Sequence, residues 1–446
     1  MDKFKNIFLN KVFNKNQEQY ALIYEEQKYT YNDLYNNIIN KINLLTKLKD
    51  INIVGITGDY DFESISLFLA CIELNKIIIP FINESEIDNK LAEVNCDILF
   101  KNNQYELQEK HCNNHDLIQK LIDDNKPGLI LFSSGSTGKP KAMVHNLDKI
   151  LNAYLNKKSK KLNILLFLMF DHIGGLNTLF NCLSMNACAI AIKERKNIEA
   201  LAQTIEKYQI SLLPASPSLL SLMLVANVVE KYNLSSLKII SYGTEKMPEA
   251  LLVKLKQTFP KVKFHQTFGT SEVGIAQTKS FGNYFKLENI AYKIINNELF
   301  LKSNMQSLGY LNADNSVFTN DGYFATGDLV EVINENGEEY IKIIGRNKEV
   351  INVGGEKVLP QEVEGILMQI PFIQDCLVYG QNNPLTGQSV CVKIVLEQNE
   401  NPANLEAKKE IRLFCKDKLA SYKIPTKVEI VQKLEISERF KKIRNS

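Results

Sequence analysis

Short apolar runs alternate with amphipathic helical stretches over the first 266 residues, and that rhythm constrains the fold more than any other feature. Residues 28–48 carry Leu34, Ile38, Ile42 and Leu45 at helical spacing behind Thr30, a capping residue. A strand at 51–54 follows, then a helix at 62–74 and a strand at 77–81. The pattern returns as helix 198–208, strand 210–214, helix 218–228, strand 237–241, helix 248–259 and strand 263–266. Strands separated by helices need crossover connections. The expected class is therefore α/β, with mixed and parallel sheets flanked by helices.

After about residue 290 the period shortens. Strand-like runs at 298–302, 329–334 and 339–344 are separated by turn signals, with Asn336-Gly337 as a hairpin turn. A smaller α+β unit starts near Gly345-Arg346. It has a helix from Pro360 to about residue 368, strands at 373–379 and 389–396, and a helix at about 405–420. Asn404 caps that last helix, with Glu406 early and Lys416 and Lys418 late, as the helix dipole favours. The short basic tail, 438–446, is the candidate for disorder.

Composition removes several function classes. The 446 residues allow two or three domains, and a formal net charge of +2 gives no reason to expect nucleic acid or an anionic membrane as partner. Eight cysteines without a Cys-x-x-Cys pair, and only five histidines, argue against a zinc site or a disulfide framework. Reduced thiols in the cytoplasm are the expectation. The first residues mix Lys and Asp among apolar side chains, unlike a signal peptide, and the apolar stretch 164–170 is too short to span a bilayer.

The chemistry concentrates in residues 132–141, Phe-Ser-Ser-Gly-Ser-Thr-Gly-Lys-Pro-Lys, directly after the apolar run Leu129-Ile130-Leu131. Glycine-freed amides, hydroxyls and fixed cations suit an anionic phosphate chain. The spacing differs from the P-loop of Gly-x-x-x-x-Gly-Lys-Ser/Thr, and Pro140 disfavours helix at Lys139. A plain Ser/Gly linker is the bland alternative. Phe268-Gly269-Thr270-Ser271-Glu272 offers an aromatic face, a close-approach glycine and a carboxylate suited to magnesium; on its own it also reads as a strand-end turn. Asp328, after Thr326-Gly327, can accept hydrogen bonds from ribose hydroxyls or form an Asx turn. Gly345-Arg346 and Gly354-Gly355-Glu356-Lys357 lie where a linker is also expected.

Together these segments resemble the adenylate-forming superfamily: acyl-CoA synthetases, adenylation domains of nonribosomal peptide synthetases, and luciferase. Ser133 to Lys141 resembles its phosphate loop, and Phe268 to Glu272 its Tyr-Gly-x-Thr-Glu motif. Asp321-Gly322-Tyr323 through Thr326-Gly327-Asp328 resembles its Asp-Gly-Trp…Thr-Gly-Asp motif. Gly345-Arg346 and Asn352 to Glu364, with Pro360 and Glu362, resemble its hinge and pantetheine-channel motif; Thr30-Tyr31-x-x-Leu34 also fits. The resemblance implies an N-terminal AMP-binding domain, 1–345, of parallel and mixed sheets with a distorted β-barrel subdomain. It implies a small mobile lid domain, 346–446, hinged at Lys348.

It also implies two reactions. A carboxylate attacks the α-phosphorus of ATP to give an acyl-adenylate and pyrophosphate; a thiol of CoA or of carrier-protein phosphopantetheine then displaces AMP. The carried-over roles are as follows. Ser133, Ser134, Gly135, Ser136, Thr137, Gly138 and Lys141 hold phosphates; Gly243, Thr244, Glu245, Phe268, Gly269, Thr270 and Ser271 border the nucleotide; Glu272 binds magnesium. Asp328 fixes the ribose, with Arg346 beside it. Gly354 and Gly355 serve the thioester step. Asp171, His172 and Gly174 line the acyl pocket, with His172 gating the carboxylate, and Lys441 is the catalytic lysine.

The chain departs from the pattern at several points. Ala142 stands where the family has glycine, Phe268 replaces tyrosine, and Gly243-Thr244-Glu245 replaces Gly-Gly-Ala. In Ser437-Glu438-Arg439-Phe440-Lys441-Lys442-Ile443-Arg444, Phe440 replaces the glycine before the catalytic lysine, which leaves Lys442 as the alternative. Asp171 either binds a substrate ammonium, as in amino-acid-activating relatives, or orients His172. Three readings follow: an acid–thiol ligase, a stand-alone amino-acid adenylation enzyme loading a separate carrier protein, and a non-catalytic nucleotide-binding homologue supported only by Phe440 and Ala142.

Overall fold

A computed structural model describes residues 4–15, 17–109, 114–133, 140–243, 245–282, 284–397, 404–437 and 442–444. One largely parallel sheet and one mixed sheet dominate the large N-terminal part. One runs Lys263–Gln266, Ile239–Tyr242, Leu212–Ala215, Asn163–Leu166, Cys188–Ala191, Tyr20–Tyr24, Gln27–Thr30 in spatial order. The other runs Gly309–Tyr310, Lys141–Asn146, Gly128–Ser133, Ile77–Phe81, Ile53–Thr57, Ile98–Lys101, Gln104–Leu107.

Strand alternation explains how the sheets stack. Ile78, Val54, Leu129 and Leu131 face one core, while Ile77, Ile53 and Ile130 face another. Ile164 and Leu166 of the first sheet enter the same central core, and Leu165 turns away from it. That central core also takes the helices Tyr31–Lys47, Phe62–Glu73 and Ile173–Ser184, so these helices lie between the two sheets. The middle position accounts for Phe62–Glu73, which is buried at every residue from Ser64 to Ile72. The outer faces are covered by Ile198–Lys207, Pro217–Val225 and Glu249–Thr258 on the first sheet, and by Asp116–Asp123 on the second.

The strands between residues 268 and 346, apart from Gly309–Tyr310, form a seven-stranded antiparallel sheet with its own core around Phe285, Leu299, Leu301 and Ile341. Asn336 and Gly337, both at positive φ (53° and 77°), make the expected tight turn of its longest hairpin. Among the described residues the edge strands Phe268–Thr270 and Ala291–Ile295 do not pair, so this sheet, where a distorted barrel is expected, is open and no closed barrel is found. Register shifts near Leu329 and near Glu298 bend it, but bending alone does not close a sheet.

The small C-terminal part has a five-stranded sheet built on Gly387–Leu396, which pairs with Ile373–Asn383 on one side and with Ile351–Val353 and Lys427–Ile430 besides, and the helices Pro360–Leu367 and Asn404–Cys415 pack on it. The last helix ends earlier than expected: the amides of Lys418 and Leu419 both turn back to the Cys415 carbonyl, so Lys416 and Lys418 fall beyond it. The side chain of Asn404, the expected cap, lies outside the described residues. Lys442 to Arg444, expected to be disordered, are instead anchored. Lys442 pairs with Asp375 at 2.5 Å, and Arg444 forks onto Glu364 at 2.5 and 2.9 Å.

Gly175 tests the packing of the central helix layer. A Cβ there would stand 2.1 Å from the Met169 carbonyl and 2.4 Å from the Tyr60 hydroxyl oxygen. Backbone cannot yield cheaply, so Gly175→Ala is expected to lower stability by about 1–3 kcal/mol. A drop of several degrees in the thermal unfolding midpoint is the expected readout; an unchanged midpoint contradicts the packing.

Candidate active site

The phosphate-loop segment is bracketed by an antiparallel pair. Gly128–Ser133 runs against Lys141–Asn146 with Ser133 directly opposite Lys141, so both ends of the loop are fixed side by side at one sheet end. Ser134, Gly135, Ser136, Thr137 and Gly138 lie outside the described residues, as do Thr244 and Lys441.

The structure brings three distant segments to Lys141. Its ammonium sits 5.4 Å from the centre of the Tyr310 ring, and the Tyr310 hydroxyl donates to Glu272 Oε1 at 2.7 Å. Burial, and then the Glu272 carboxylate, push the Tyr310 phenol well above its usual range, so it stays a donor. Asn312 grips the strand on both sides of Lys141. Its Nδ2 donates to the Pro140 carbonyl at 2.9 Å, and its Oδ1 accepts the Ala142 amide at 2.9 Å. Nδ2 also reaches Glu93 at 2.9 Å. Neither Tyr310 nor Asn312 stands out in the sequence. Tyr310 ends, and Asn312 follows, a two-residue strand, Gly309–Tyr310, that joins the sheet beside Lys141–Asn146, and only that pairing shows their use.

Glu272 is carried by the turn between Phe268–Thr270 and Gly274–Phe281. The Thr270 hydroxyl accepts the Val273 amide at 3.2 Å, and the Glu272 carbonyl accepts the Ser307 amide at 2.7 Å. Gly269 is required there, because a Cβ would stand 2.4 Å from the Gly274 carbonyl. Phe268 stacks on Phe285 at 5.2 Å, with Gly243 nearby in chain order after the strand Ile239–Tyr242, packed against Thr267.

Asp328 is only 3% exposed and accepts from Arg346 Nε at 2.8 Å; the two residues are cross-strand neighbours. The Asp328 carboxylate first, and more distantly those of Glu349 and Glu272, hold the Arg346 guanidinium firmly charged against the cost of burial. Gly327, at φ 71°, sets the turn, with its amide on Glu298 and the Asp328 amide on the Thr326 hydroxyl.

His172 caps the helix Ile173–Ser184. Its Nδ1 accepts the Gly174 amide at 3.1 Å, which leaves Nε2 as the donor of the neutral ring. Asp171 is buried with Lys90 Nζ 3.8 Å away, so an internal lysine already answers its charge. Lys348 lies in the exposed turn Asn347–Glu349. Gly354 and Gly355, at φ 60° and 92°, form an exposed hairpin tip. Glu245 does not read as a free nucleotide contact. Its Oε2 accepts the Ser218 hydroxyl at 2.6 Å, and its Oε1 accepts the Lys442 amide at 2.9 Å.

His145 is another residue the sequence did not single out. It is fully buried on the strand Lys141–Asn146, against the backbone of Met305 and Ser271, next to Glu272. Burial lowers its pKa to about 4, from about 6.5 in an unfolded chain. The unfolded state therefore takes up this proton first on acidification. Stability from His145 is complete above pH 6.5, falls between pH 6.5 and 4, and loses up to about 3 kcal/mol in that window. Comparing unfolding of wild type and His145→Phe from pH 7 to 4 should show the steeper loss in wild type; parallel profiles contradict a neutral buried imidazole.

The model of the AMP-binding enzyme family matches residues 9–302, and that of the AMP-binding enzyme C-terminal domain matches residues 362–441. The 2-succinylbenzoate–CoA ligase of Bacillus pumilus (strain SAFR-032) is 24% identical over 94% of this chain and 92% of its own length. The 4-coumarate–CoA ligase of Pinus taeda is 27% identical over 70% of this chain and 63% of its own. Among solved structures, the anthranilate CoA ligase AuaEII in complex with anthranoyl-AMP shares the fold, with a TM-score of 0.81, 18% identity and coverage of 99% of this chain and 96% of that one. The o-succinylbenzoate CoA synthetase of Bacillus subtilis, in complex with its acyl-adenylate, does so with a TM-score of 0.74, 20% identity and coverage of 98% and 97%. With both family models matched in order, and with CoA ligases as its relatives, the chain belongs to the AMP-binding enzyme family and is an AMP-forming acid–thiol ligase.

Proposed function

We propose that this enzyme activates an aromatic carboxylic acid with MgATP and passes the acyl group to the thiol of CoA. The observation that carries the reading is the convergence of Lys141, Tyr310 and Glu272 beside the loop 134–139, with the Asp328–Arg346 pair nearby in charge. The aromatic class is supported by the printed acids of the relatives and fold neighbours: 2-succinylbenzoate, 4-coumarate and anthranilate.

The first step joins two anions, so fixed positive charge and preset donors must offset their repulsion. Ser133, Ser134, Gly135, Ser136, Thr137, Gly138 and Lys141 cradle the β- and γ-phosphates. Phe268, Gly269, Thr270 and Ser271, with Gly243 and Thr244, border the nucleotide. Asp328 takes the ribose hydroxyls, with its orientation set by Arg346. Glu272 gives Oε1 to Tyr310 and keeps Oε2 for the magnesium ion that arrives with ATP. A single protein carboxylate would suit that ion, which takes substrate phosphates and water besides; no group of three His, Cys, Asp or Glu side chains that could hold a metal by themselves exists among the described residues. The bound ion would neutralise phosphate charge.

An oxygen of the acid then attacks the α-phosphorus, the bond to the bridging oxygen of pyrophosphate breaks, and Lys441 neutralises charge between carboxylate and phosphate. The Lys442 ammonium is turned into the small domain. Burial works against its charge, but Asp375 and Glu364 outweigh that and raise its pKa. This supports Lys441 over Lys442. In the second step the thiol loses its proton, attacks the acyl carbon and displaces AMP. We place the domain boundary between residues 345 and 346, because the antiparallel core reaches Ile343 and the next core begins at Ile351, with Lys348 as the hinge between them. Rotation there would bring Gly354-Gly355 to the acyl-adenylate. We take His172 to gate the acid, and Asp171, paired with Lys90, to hold the helix start with Gly174, which speaks against an ammonium-binding role and so against the amino-acid reading. The seven described cysteines are free and buried, which supports a cytoplasmic setting.

Pyrophosphate release with ATP should respond to aromatic acids in a panel that also holds fatty, hydroxy and amino acids; a response to amino acids alone would favour the alternative. With the best acid, AMP should form fully only when CoA is added, and a response to a phosphopantetheinylated carrier in its place would reassign the acceptor. Lys441→Ala should lower pyrophosphate release about 100-fold or more, with Lys442→Ala falling less. The reverse order would move the catalytic role to Lys442.

A further inference from the structure

The tail that carries the catalytic lysine is fastened to two bodies by different kinds of bond. Toward the small domain it uses side chains. Lys442 Nζ reaches Asp375 at 2.5 Å and the Cys376 carbonyl at 3.0 Å, and Arg444 holds Glu364 and the Val378 carbonyl. Toward the large domain it uses the main chain: the Lys442 amide donates to Glu245 Oε1 at 2.9 Å. Ile436, which bridges antiparallel to Lys442, packs on the core that holds Leu219, Leu251 and Leu255 of the large domain. Lys254 to Glu397, at 2.9 Å, adds an exposed ion pair between the same two bodies.

Glu245 is built for this contact. Ser218, 4% exposed at the start of the helix Pro217–Val225, gives Glu245 Oε2 both its hydroxyl, at 2.6 Å, and its amide, at 3.3 Å. One oxygen is thereby fixed at a helix N-terminus, where negative charge is favoured, and the other is aimed at the tail. Both oxygens are taken by protein donors, which leaves this carboxylate ill suited to border adenine.

We propose that Glu245 is a positioning residue that latches the lid for adenylation only, by holding the amide next to Lys441. The inference rests on the reading of Lys441 as the catalytic lysine. The side-chain bonds of Lys442 and Arg444 travel with the small domain when it rotates, so they serve both half-reactions. The bond to Glu245 crosses between the domains and must break before the thioester step. Removing it should therefore slow one half-reaction and spare the other.

The test uses the full chain and the variants Glu245→Ala and Glu245→Gln, the second keeping the shape if the first fails to fold. Pyrophosphate release at saturating ATP and acid should fall about tenfold or more, with KM for ATP within about twofold of wild type. Thioester formation from synthetic acyl-adenylate and CoA should stay at the wild-type rate or rise. Amide hydrogen exchange at Lys442 should accelerate. A raised KM for ATP at unchanged kcat would return Glu245 to the nucleotide site, and an equal fall in both half-reactions would make it merely structural; either overturns the proposal. If wild type releases no pyrophosphate with any acid, the functional reading fails. The exchange measurement still decides the latch, and unchanged protection at Lys442 in Glu245→Ala overturns it.

Discussion

The ion pair between Asp328 and Arg346 is the interaction on which the rest of the site depends. A carboxylate that is 3% exposed costs several kcal/mol to bury unless a cation answers it, and Arg346 does so at 2.8 Å from the adjacent strand. The pair therefore fixes the end of the strand Glu338–Arg346 against Phe324–Glu335. The turn Asn347–Glu349 and the small domain start from that fixed point. The buried Asp328 carboxylate and the start of the small domain are thus set by one contact.

Lys141, Glu272 and Tyr310 add a second fixed arrangement from three distant segments. Each segment is rigid for a separate reason: Lys141 by strand pairing and the Asn312 grip, Glu272 by a glycine-tight turn, and Tyr310 by a two-residue strand that closes the sheet edge. Preset charge of this kind does not reorganise when a polyanion arrives, which is where such sites gain most of their effect. The tail is held to the small domain by ion pairs from Lys442 to Asp375 and from Arg444 to Glu364.

Much of the framework was legible in the sequence because burial follows the period of the chain. The strands Ile77–Phe81 and Glu298–Lys302 lie where their apolar residues predict, Lys263–Gln266 lies where the strand–helix rhythm predicts, and Thr30 caps its helix in a full capping box with Asp33. The strand expected at 51–54 is Ile53–Thr57, because Gly55, which reads as a break, sits where a Cβ would be 2.8 Å from Leu99. Motif residues could be named from local pattern, but their partners could not. Tyr310, Asn312, Ser218 and His145 gain their meaning from contacts with residues far away in the chain, and no periodicity encodes those. Glu245 shows the same limit in reverse: its place in a motif suggested adenine, and its contacts point to the tail.

The central claim is that an acid oxygen attacks the α-phosphorus of ATP. The most direct measurement is mass analysis of AMP formed from an acid labelled with oxygen-18 in its carboxylate, in the presence of CoA. The bond that forms first joins an acid oxygen to phosphorus, and the bond broken by the thiol is the one between the acyl carbon and that oxygen. One labelled oxygen should therefore appear in each AMP. Unlabelled AMP, or ADP and labelled inorganic phosphate in its place, would contradict the account.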